Sequence, residues 1–239
     1  MPSSLSKQPL YSQVATLIAQ RIAEGDWKPG AALPNEQDLA REMGVSSGTM
    51  RKALDWLEEC RLLVRRQGRG TFVADHAAEE FAARFINLRT ADGRHIAGTG
   101  RVLDQCRAPA GVLEQSRLLI EPGQTVLRTK RLCTCDGRPF MYEDAALAVT
   151  RMPGLREREL LGDYQLTALA QRHGVLLGRA SERVALFAAS GDLAELLEVA
   201  PGTALLHLDR VVYSLGGEPV EWRVAFCHLK GEYYLVDMC

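Results

Sequence analysis

Apolar residues near the start of the chain recur at helical spacing. Between Tyr11 and Gly25, Val14, Leu17, Ile18 and Ile22 follow the i, i+3, i+4, i+8 pattern of one helix face, and Gly25 supplies a stop. Pro29-Gly30 marks a turn. A short second helix is expected next, with Asn35 as its N-cap, Asp38 three residues on, and Gly44 at its end. Ser46 is placed to cap a third helix, whose apolar side runs through Met50, Ala53, Leu54, Leu57 and Cys60. Two short helices around a tight glycine turn form the helix-turn-helix pattern. The period then changes from helical to alternating. Leu62–Arg66 and Thr71–Val73 read as two strands of a hairpin whose tip is Gln67-Gly68-Arg69-Gly70. The tip glycines either relieve a positive φ or let the backbone approach a groove wall closely.

Beyond Ala74 the polar stretch 75–80 reads as a linker between a domain at 1–74 and a larger one at 81–239. Strands are expected at His95–Leu103, Thr125–Cys135, Pro139–Ala148, Val175–Ala188, Ala204–Ser214, Pro219–Cys227 and Tyr233–Val236, with hairpin turns at Asp136-Gly137 and Gly216-Gly217. Helices are expected at Gln165–His173 and at Asp192–Glu198, the latter capped by Ser190. This order gives an α+β chain with a mainly antiparallel sheet in its second domain.

Composition narrows the function. No apolar run approaches the roughly 18 residues of a membrane span, and the start of the chain lacks the basic and apolar regions of a signal peptide, so a cytoplasmic protein without a membrane partner is expected. The six cysteines (Cys60, Cys106, Cys133, Cys135, Cys227 and Cys239) show no metal-ligand spacing, so no metal or other cofactor is expected. Cys133 and Cys135 share one strand face, either as inert core thiols or as a redox pair. No nucleophile-base pair, metal motif or phosphate-cradling glycine loop appears, which argues against an enzyme. Net charge is only -1, yet from Arg51 to Phe72 six bases face three acids, a local +3 stripe of the kind phosphate contact needs.

Ordered features from Pro9 to Ala74 resemble the winged-helix domain of GntR-type bacterial regulators: Leu10-Tyr11, Pro29-Gly30, Leu33-Pro34-Asn35-Glu36, Leu39-Ala40, Gly44-Val45-Ser46, Thr49, Arg51, Ala53-Leu54 and Arg66 to Val73. Residues 81–236 are similar to the effector domain of the HutC subfamily, the UTRA domain, which has a chorismate-lyase-like fold. The similarity is carried by Pro122-Gly123, Arg131, Asp136-Gly137, Pro139, Glu143, Pro201-Gly202 and Gly217-Glu218-Pro219-Val220-Glu221. The resemblance implies a homodimer that binds an inverted-repeat DNA operator, as a repressor, and changes its grip when a small anionic metabolite fills the second domain.

In the first domain, the candidate DNA contacts are Asn35, Gln37, Ser46, Ser47, Thr49, Arg51, Lys52, Arg65, Arg66, Gln67, Gly68, Arg69, Gly70 and Thr71. Arg51 is the chief candidate for a base, because a guanidinium can fork onto guanine. Lys52 either meets phosphate or is simply solvated. Many members carry arginine where this chain has Gln37 and Ser47, which puts the usual operator sequence in doubt.

In the second domain, the resemblance assigns Arg131 and Glu143 to the effector pocket, although the two could equally be partners that hold their hairpin together. It also assigns backbone amides of the loop Arg89-Thr90-Ala91-Asp92-Gly93-Arg94 to an anion, with Arg89 and Thr90 in the site, and has Glu221 close the pocket. Many relatives have a tyrosine where this chain has Phe226-Cys227-His228. Phe226 is therefore taken as a pocket residue without a hydroxyl, and His228 as structural. The alternative to a ligand-responsive regulator is a constitutive DNA-binding protein whose second domain only dimerises.

Overall fold

A computed structural model of the chain describes residues 9–75, 85, 87–96, 99–156 and 166–236. The chain forms two compact units, Met1–Phe81 and Ala82–Cys239. The expected linker at 75–80 lies, beyond Asp75, outside the described residues.

The first unit contains α1 (Leu10–Glu24), α2 (Glu36–Glu42), α3 (Ser47–Glu59) and the hairpin β1 (Leu63–Arg66) to β2 (Gly70–Val73). Both expected caps form. The Asn35 side chain accepts from the Asp38 amide at 2.9 Å, and the Ser46 hydroxyl accepts from the Thr49 amide at 3.2 Å. Each satisfies one of the amides a helix start leaves unpaired. The buried face of α1 is Val14, Ala15, Ile18, Ala19 and Ile22, whereas Leu17 is 53% exposed. At 100° per residue the two alanines draw the centre of that face towards residues 15 and 18, which turns Leu17 outward. The α1 face packs against α3, and α3 against α2; Met50, Leu54 and Leu57 of α3 and Leu39 of α2 are nearly inaccessible to solvent. Gly30 and Ala31 pair with Val73, and Leu33 with Thr71, so the chain before α2 braces the hairpin as a third strand.

The second unit is built on a six-stranded antiparallel sheet. Its members are β4 (Thr99–Pro109), β5 (Thr125–Cys135), β6 (Arg138–Ala148), β7 (Leu177–Ala188), β8 (Ala204–Ser214) and β9 (Pro219–Cys227), in the order β4-β5-β6-β9-β8-β7. A separate ribbon pairs β3 (Leu88–Arg89) with β10 (Tyr233–Tyr234). Asp136 and Gly137 both have positive φ, 50° and 76°, as a two-residue primed turn between β5 and β6 demands.

Strand parity sorts the side chains onto two faces. One carries Leu127, Leu147 and Val212 at one end, packed under α5 (Leu166–Arg172) and Met152 and Leu155. At its other end Cys133, Leu208, Ala225 and Cys227 pack with Leu88, Ile96 and Tyr234. The opposite face packs Val126, Ala146 and Ala148 with Leu118 of α4 (Val112–Leu118), and Leu132 and Leu205 with Ala194 of α6 (Gly191–Leu196).

Several elements depart from the sequence reading. The strand expected at His95–Leu103 runs instead from Thr99 to Pro109, with a bulge between Val102 and Asp104 that breaks its alternation. Residues 97–98 lie outside the described residues. Helix α4 was not foreseen. Its N-cap is Gly111, which has no side chain to signal a start, and the Glu114 carboxylate accepts from the Gly111 amide at 2.6 Å instead. Ser190 sits at the N-cap of α6 but makes no side-chain cap bond.

Candidate functional site

The face of the first unit that could meet DNA starts at the amino end of α3. Ser47 is the first residue of this helix, and Ser47, Arg51 and Lys52 are exposed. Ser46 and Thr49 are occupied with each other, their hydroxyls 3.0 Å apart. On α2, Gln37 is exposed, while the Asn35 amide both accepts from the Asp38 backbone and donates to its carboxylate. Asn35, Ser46 and Thr49 thus spend polar atoms on forming the helices. Arg51 is drawn towards α2: its Nε lies 3.1 Å and an Nη 3.0 Å from the Glu36 carboxylate.

The hairpin holds Arg66, Gln67, Gly68, Arg69 and Gly70 at an exposed tip, with Thr71 partly covered. Gly68 and Gly70 have φ of 68° and 110°. Only glycine adopts such a sequence of angles readily, so the tip stays free of side-chain bulk. Arg66 stacks over the Phe72 ring at 4.8 Å. Arg65 differs from its neighbours. It is paired with Asp55 at 2.5 Å and with Glu58 at 3.1 Å, so it ties the hairpin to α3 and its charge is already answered within the unit. Arg65 thus has a bracing role within the unit, and the exposed bases of the hairpin that carry no such pair with α3 among the described residues are those of its tip, Arg66 and Arg69.

The second unit holds an ionic belt on one face of its sheet, between the two apolar clusters of that face. Arg131 and Glu143 are direct cross-strand partners and are bonded to each other, with side chains 6% and 2% exposed. The second oxygen of Glu143 accepts from Arg223 at 2.8 Å, and Arg223 also reaches Glu221 at 2.5 Å. Arg210 stands directly opposite Arg223 and pairs on its other side with Glu182 at 2.6 Å. Glu182 also accepts from the Tyr234 hydroxyl, which in turn accepts from Asn87 at 2.9 Å. Hence the belt reaches the ribbon at the start of the second unit. Thr129 lies on the same face, and its buried hydroxyl has no hydrogen-bond partner among the described residues.

Burial works against the charge on Glu143, but the guanidiniums of Arg223 and Arg131 outweigh it and hold this carboxyl below its ordinary range. Its contribution to stability is complete above the ordinary glutamate value of about 4.3 and disappears as pH falls through the lowered folded value. Acid titration followed by Trp222 fluorescence, in a Trp27→Phe, Trp56→Phe background, is expected to show the second unit losing stability below about pH 4. Glu143→Gln is expected to flatten that dependence.

Two other groups named from the sequence, Phe226 and the loop 89–94, lie apart from the belt. Phe226 has the opposite parity to Glu221, Arg223 and Cys227. It stacks on His207 at 4.9 Å and packs with Leu132 and Leu205 on the far face, away from Arg131 and Glu143. The loop 89–94 is also closed on itself. The Thr90 amide donates to Arg94 O, the Gly93 amide to Thr90 O, and the Asp92 carboxylate accepts from Thr90 Oγ1 and Arg94 Nε. Two of its amides are thus already used, and a carboxylate occupies the turn. Arg89 lies at 2.8 Å from His95 Nδ1 rather than in the belt. Arg210, Arg223, Glu182 and Tyr234 were missed in the sequence. Parity from Glu221 points to Arg223, but the other three need the strand register.

Cys133, Cys135 and Cys227 lie on the belt's face, and burial raises the thiols of Cys135 and Cys227. A raised thiol carries little thiolate, which favours the inert reading.

Comparison with known proteins agrees with these two units. Residues 10–73 match the family of bacterial regulatory proteins, gntR family, and residues 93–230 match the UTRA domain. An HTH-type transcriptional regulator of Mycobacterium tuberculosis is 31% identical over 95% of this chain and 84% of its own length. The mannosyl-D-glycerate transport/metabolism system repressor of Escherichia coli is 27% identical over 91% of each chain. Among solved structures, the ligand-binding domain of a GntR-family transcriptional regulator from Bordetella bronchiseptica is 28% identical with a TM-score of 0.60, covering 65% of this chain and 98% of that one. The chain belongs to the GntR family of bacterial transcription regulators whose second domain is a UTRA domain that modulates DNA binding.

Proposed function

We propose that the protein is a cytoplasmic homodimer that represses transcription from an inverted-repeat operator and responds to a small metabolite with an anionic group, acting by binding rather than catalysis. The observation that carries this reading is the pairing of an exposed α3 amino end (Ser47, Arg51, Lys52) and basic hairpin tip in one unit with a buried arginine-glutamate belt in the other. A helix start in the major groove reads base edges, and a basic tip meets phosphate. In the effector unit, Arg131, Arg210 and Arg223 are the groups that attract an anion, with Glu143 and Glu221 beside them. Dimerisation is supported by strand β7. It is an edge of the sheet and exposes Val184, Leu186 (81% exposed) and Phe187. A long apolar edge strand invites a partner, and a second copy gives a two-fold protein for a two-fold site.

Selection of bound sequences from a random DNA pool, followed by a screen of metabolites for release of the selected site, tests the reading. Recovery of no enriched sequence overturns it. A constitutive DNA-binding protein with a purely dimerising second unit predicts an enriched site that no metabolite releases and no metabolite-dependent rise in melting temperature.

The hairpin tip gives a narrower test. Arg69→Ala is expected to weaken binding to all sequences alike and to reduce the slope of log K against log salt by about one unit, the counterion-release contribution of one phosphate contact. A full slope in the variant places the tip away from the backbone of DNA.

A further inference from the structure

The proposed effector site has a charge balance that restricts what can enter it. Among the described residues, three carboxylates (Glu143, Glu182, Glu221) face three guanidiniums (Arg131, Arg210, Arg223), and each carboxylate accepts from at least one of them. Glu143 and Glu221 side chains are only 2% exposed. A ligand bearing only an anion draws an arginine away from such a carboxylate and leaves a buried negative charge without compensation. One bearing only a cation does the same to an arginine. Stranding a buried charge is the unfavourable step, not the exchange of one pair for another.

The register shows where an exchange fits. Across one rung of the sheet stand Glu182, Arg210, Arg223, Ala145 and Thr129. Arg210 and Arg223 are like charges placed directly opposite, an arrangement that is unfavourable without anions on both sides. Next to them the small side chains of Ala145 and Thr129 leave the sheet surface low, and the Thr129 hydroxyl is buried without a hydrogen-bond partner among the described residues. On the neighbouring rungs lie Glu143 and Glu221, both held by Arg223. A cationic seat with an unused hydroxyl thus adjoins two carboxylates that both accept from Arg223.

Resting on the reading of this belt as the effector site, we infer that the effector is a zwitterion, with a carboxylate or phosphate seated over Arg210, Arg223 and Thr129 and an ammonium group received by Glu143 and Glu221. Such a molecule replaces Arg223 at the glutamates with its own cation and replaces the glutamates at Arg223 with its own anion. A zwitterion with a carboxylate head, neutral overall, leaves the net charge of the belt unchanged on binding.

Matched compounds test this on the full-length wild-type protein by titration calorimetry. One arm uses each protein α-amino acid, its 2-hydroxy acid and its decarboxylated amine. The other uses phosphoethanolamine, ethyl phosphate and ethanolamine. The expected result is heat from at least one zwitterion, at an affinity at least about 30-fold above both of its singly charged partners, since each of these strands a buried charge. The arm in which it appears distinguishes a carboxylate from a phosphate head. A hydroxy acid or ethyl phosphate that binds as tightly as its zwitterion overturns the inference, and so does silence from every zwitterion in both arms. Release of the selected operator by a singly charged anion leaves the regulator reading in place while this inference falls.

Discussion

Glu143→Ala is expected to cost the second unit about 3–5 kcal/mol, the range for removing one partner of a buried ion pair. The carboxylate is answered on both oxygens, by Arg131 and by Arg223, so its deletion takes an acceptor from two largely buried guanidiniums at once. Against a typical domain stability of 5–15 kcal/mol such a loss is a large fraction of the whole. Urea unfolding followed by Trp222 fluorescence, in the background lacking Trp27 and Trp56, reads the second unit alone. The first unit, with its own apolar core, is expected to keep its midpoint. The double variant Arg131→Met, Glu143→Leu separates stability from function, because Arg223 keeps Glu221 as its partner and the two apolar side chains fill the vacated space. It is expected to recover most of the lost stability, as replaced buried pairs commonly do, and yet to leave operator binding insensitive to any metabolite that acts on wild type. A single variant as stable as wild type shows that water reaches the pair and that the belt is not dry.

These residues also show what a sequence can and cannot reveal. The caps at Asn35 and Ser46 were legible because a helix start needs a side-chain acceptor at a fixed offset, and both offsets lie within four residues. The primed turn at Asp136-Gly137 was legible for the same local reason. It sets the register of β5 on β6 only for the first rungs; a bulge between Cys133 and Thr134 then shifts the pairing by one residue, and the partnership of Arg131 with Glu143 depends on that bulge. Strand parity was equally available, and it separates Phe226 from Glu221. The resemblance to relatives with a tyrosine nearby outweighed parity there, and Phe226 was grouped with residues of the other sheet face. What lay beyond the sequence depends on separation along the chain. Arg51 meets Glu36 15 positions away, Arg210 meets Glu182 28 away, and Tyr234 meets Glu182 52 away. None of these pairs has a local signature, and each takes up a charge or hydroxyl that sequence reading left open. Helix α4 was missed for a different reason, since its start is stabilised by Glu114 reaching back to a glycine rather than by a capping side chain.

Ser47→Arg is expected to raise preference for guanine at one operator position by roughly 1–3 kcal/mol, the discrimination of a good bidentate arginine pair. Ser47 is exposed at the first position of α3, one residue past its cap. Its hydroxyl is too short to fork onto a base from there, so wild type is expected to discriminate weakly at that pair. An arginine at 47 also lies one helical turn before Arg51, on the same face of α3. Arg51 is held by Glu36 through Nε and one Nη, which limits how far its guanidinium can swing and leaves the new arginine to reach the neighbouring base on its own. The measurement compares single-base variants of the selected operator for wild type and Ser47→Arg at one salt concentration, because the added charge strengthens binding to every sequence. A gain confined to guanine at one position places the amino end of α3 in the major groove. An equal gain across all variants places residue 47 against phosphate, and then the base contacts of this protein fall to Arg51 and the residues that follow it.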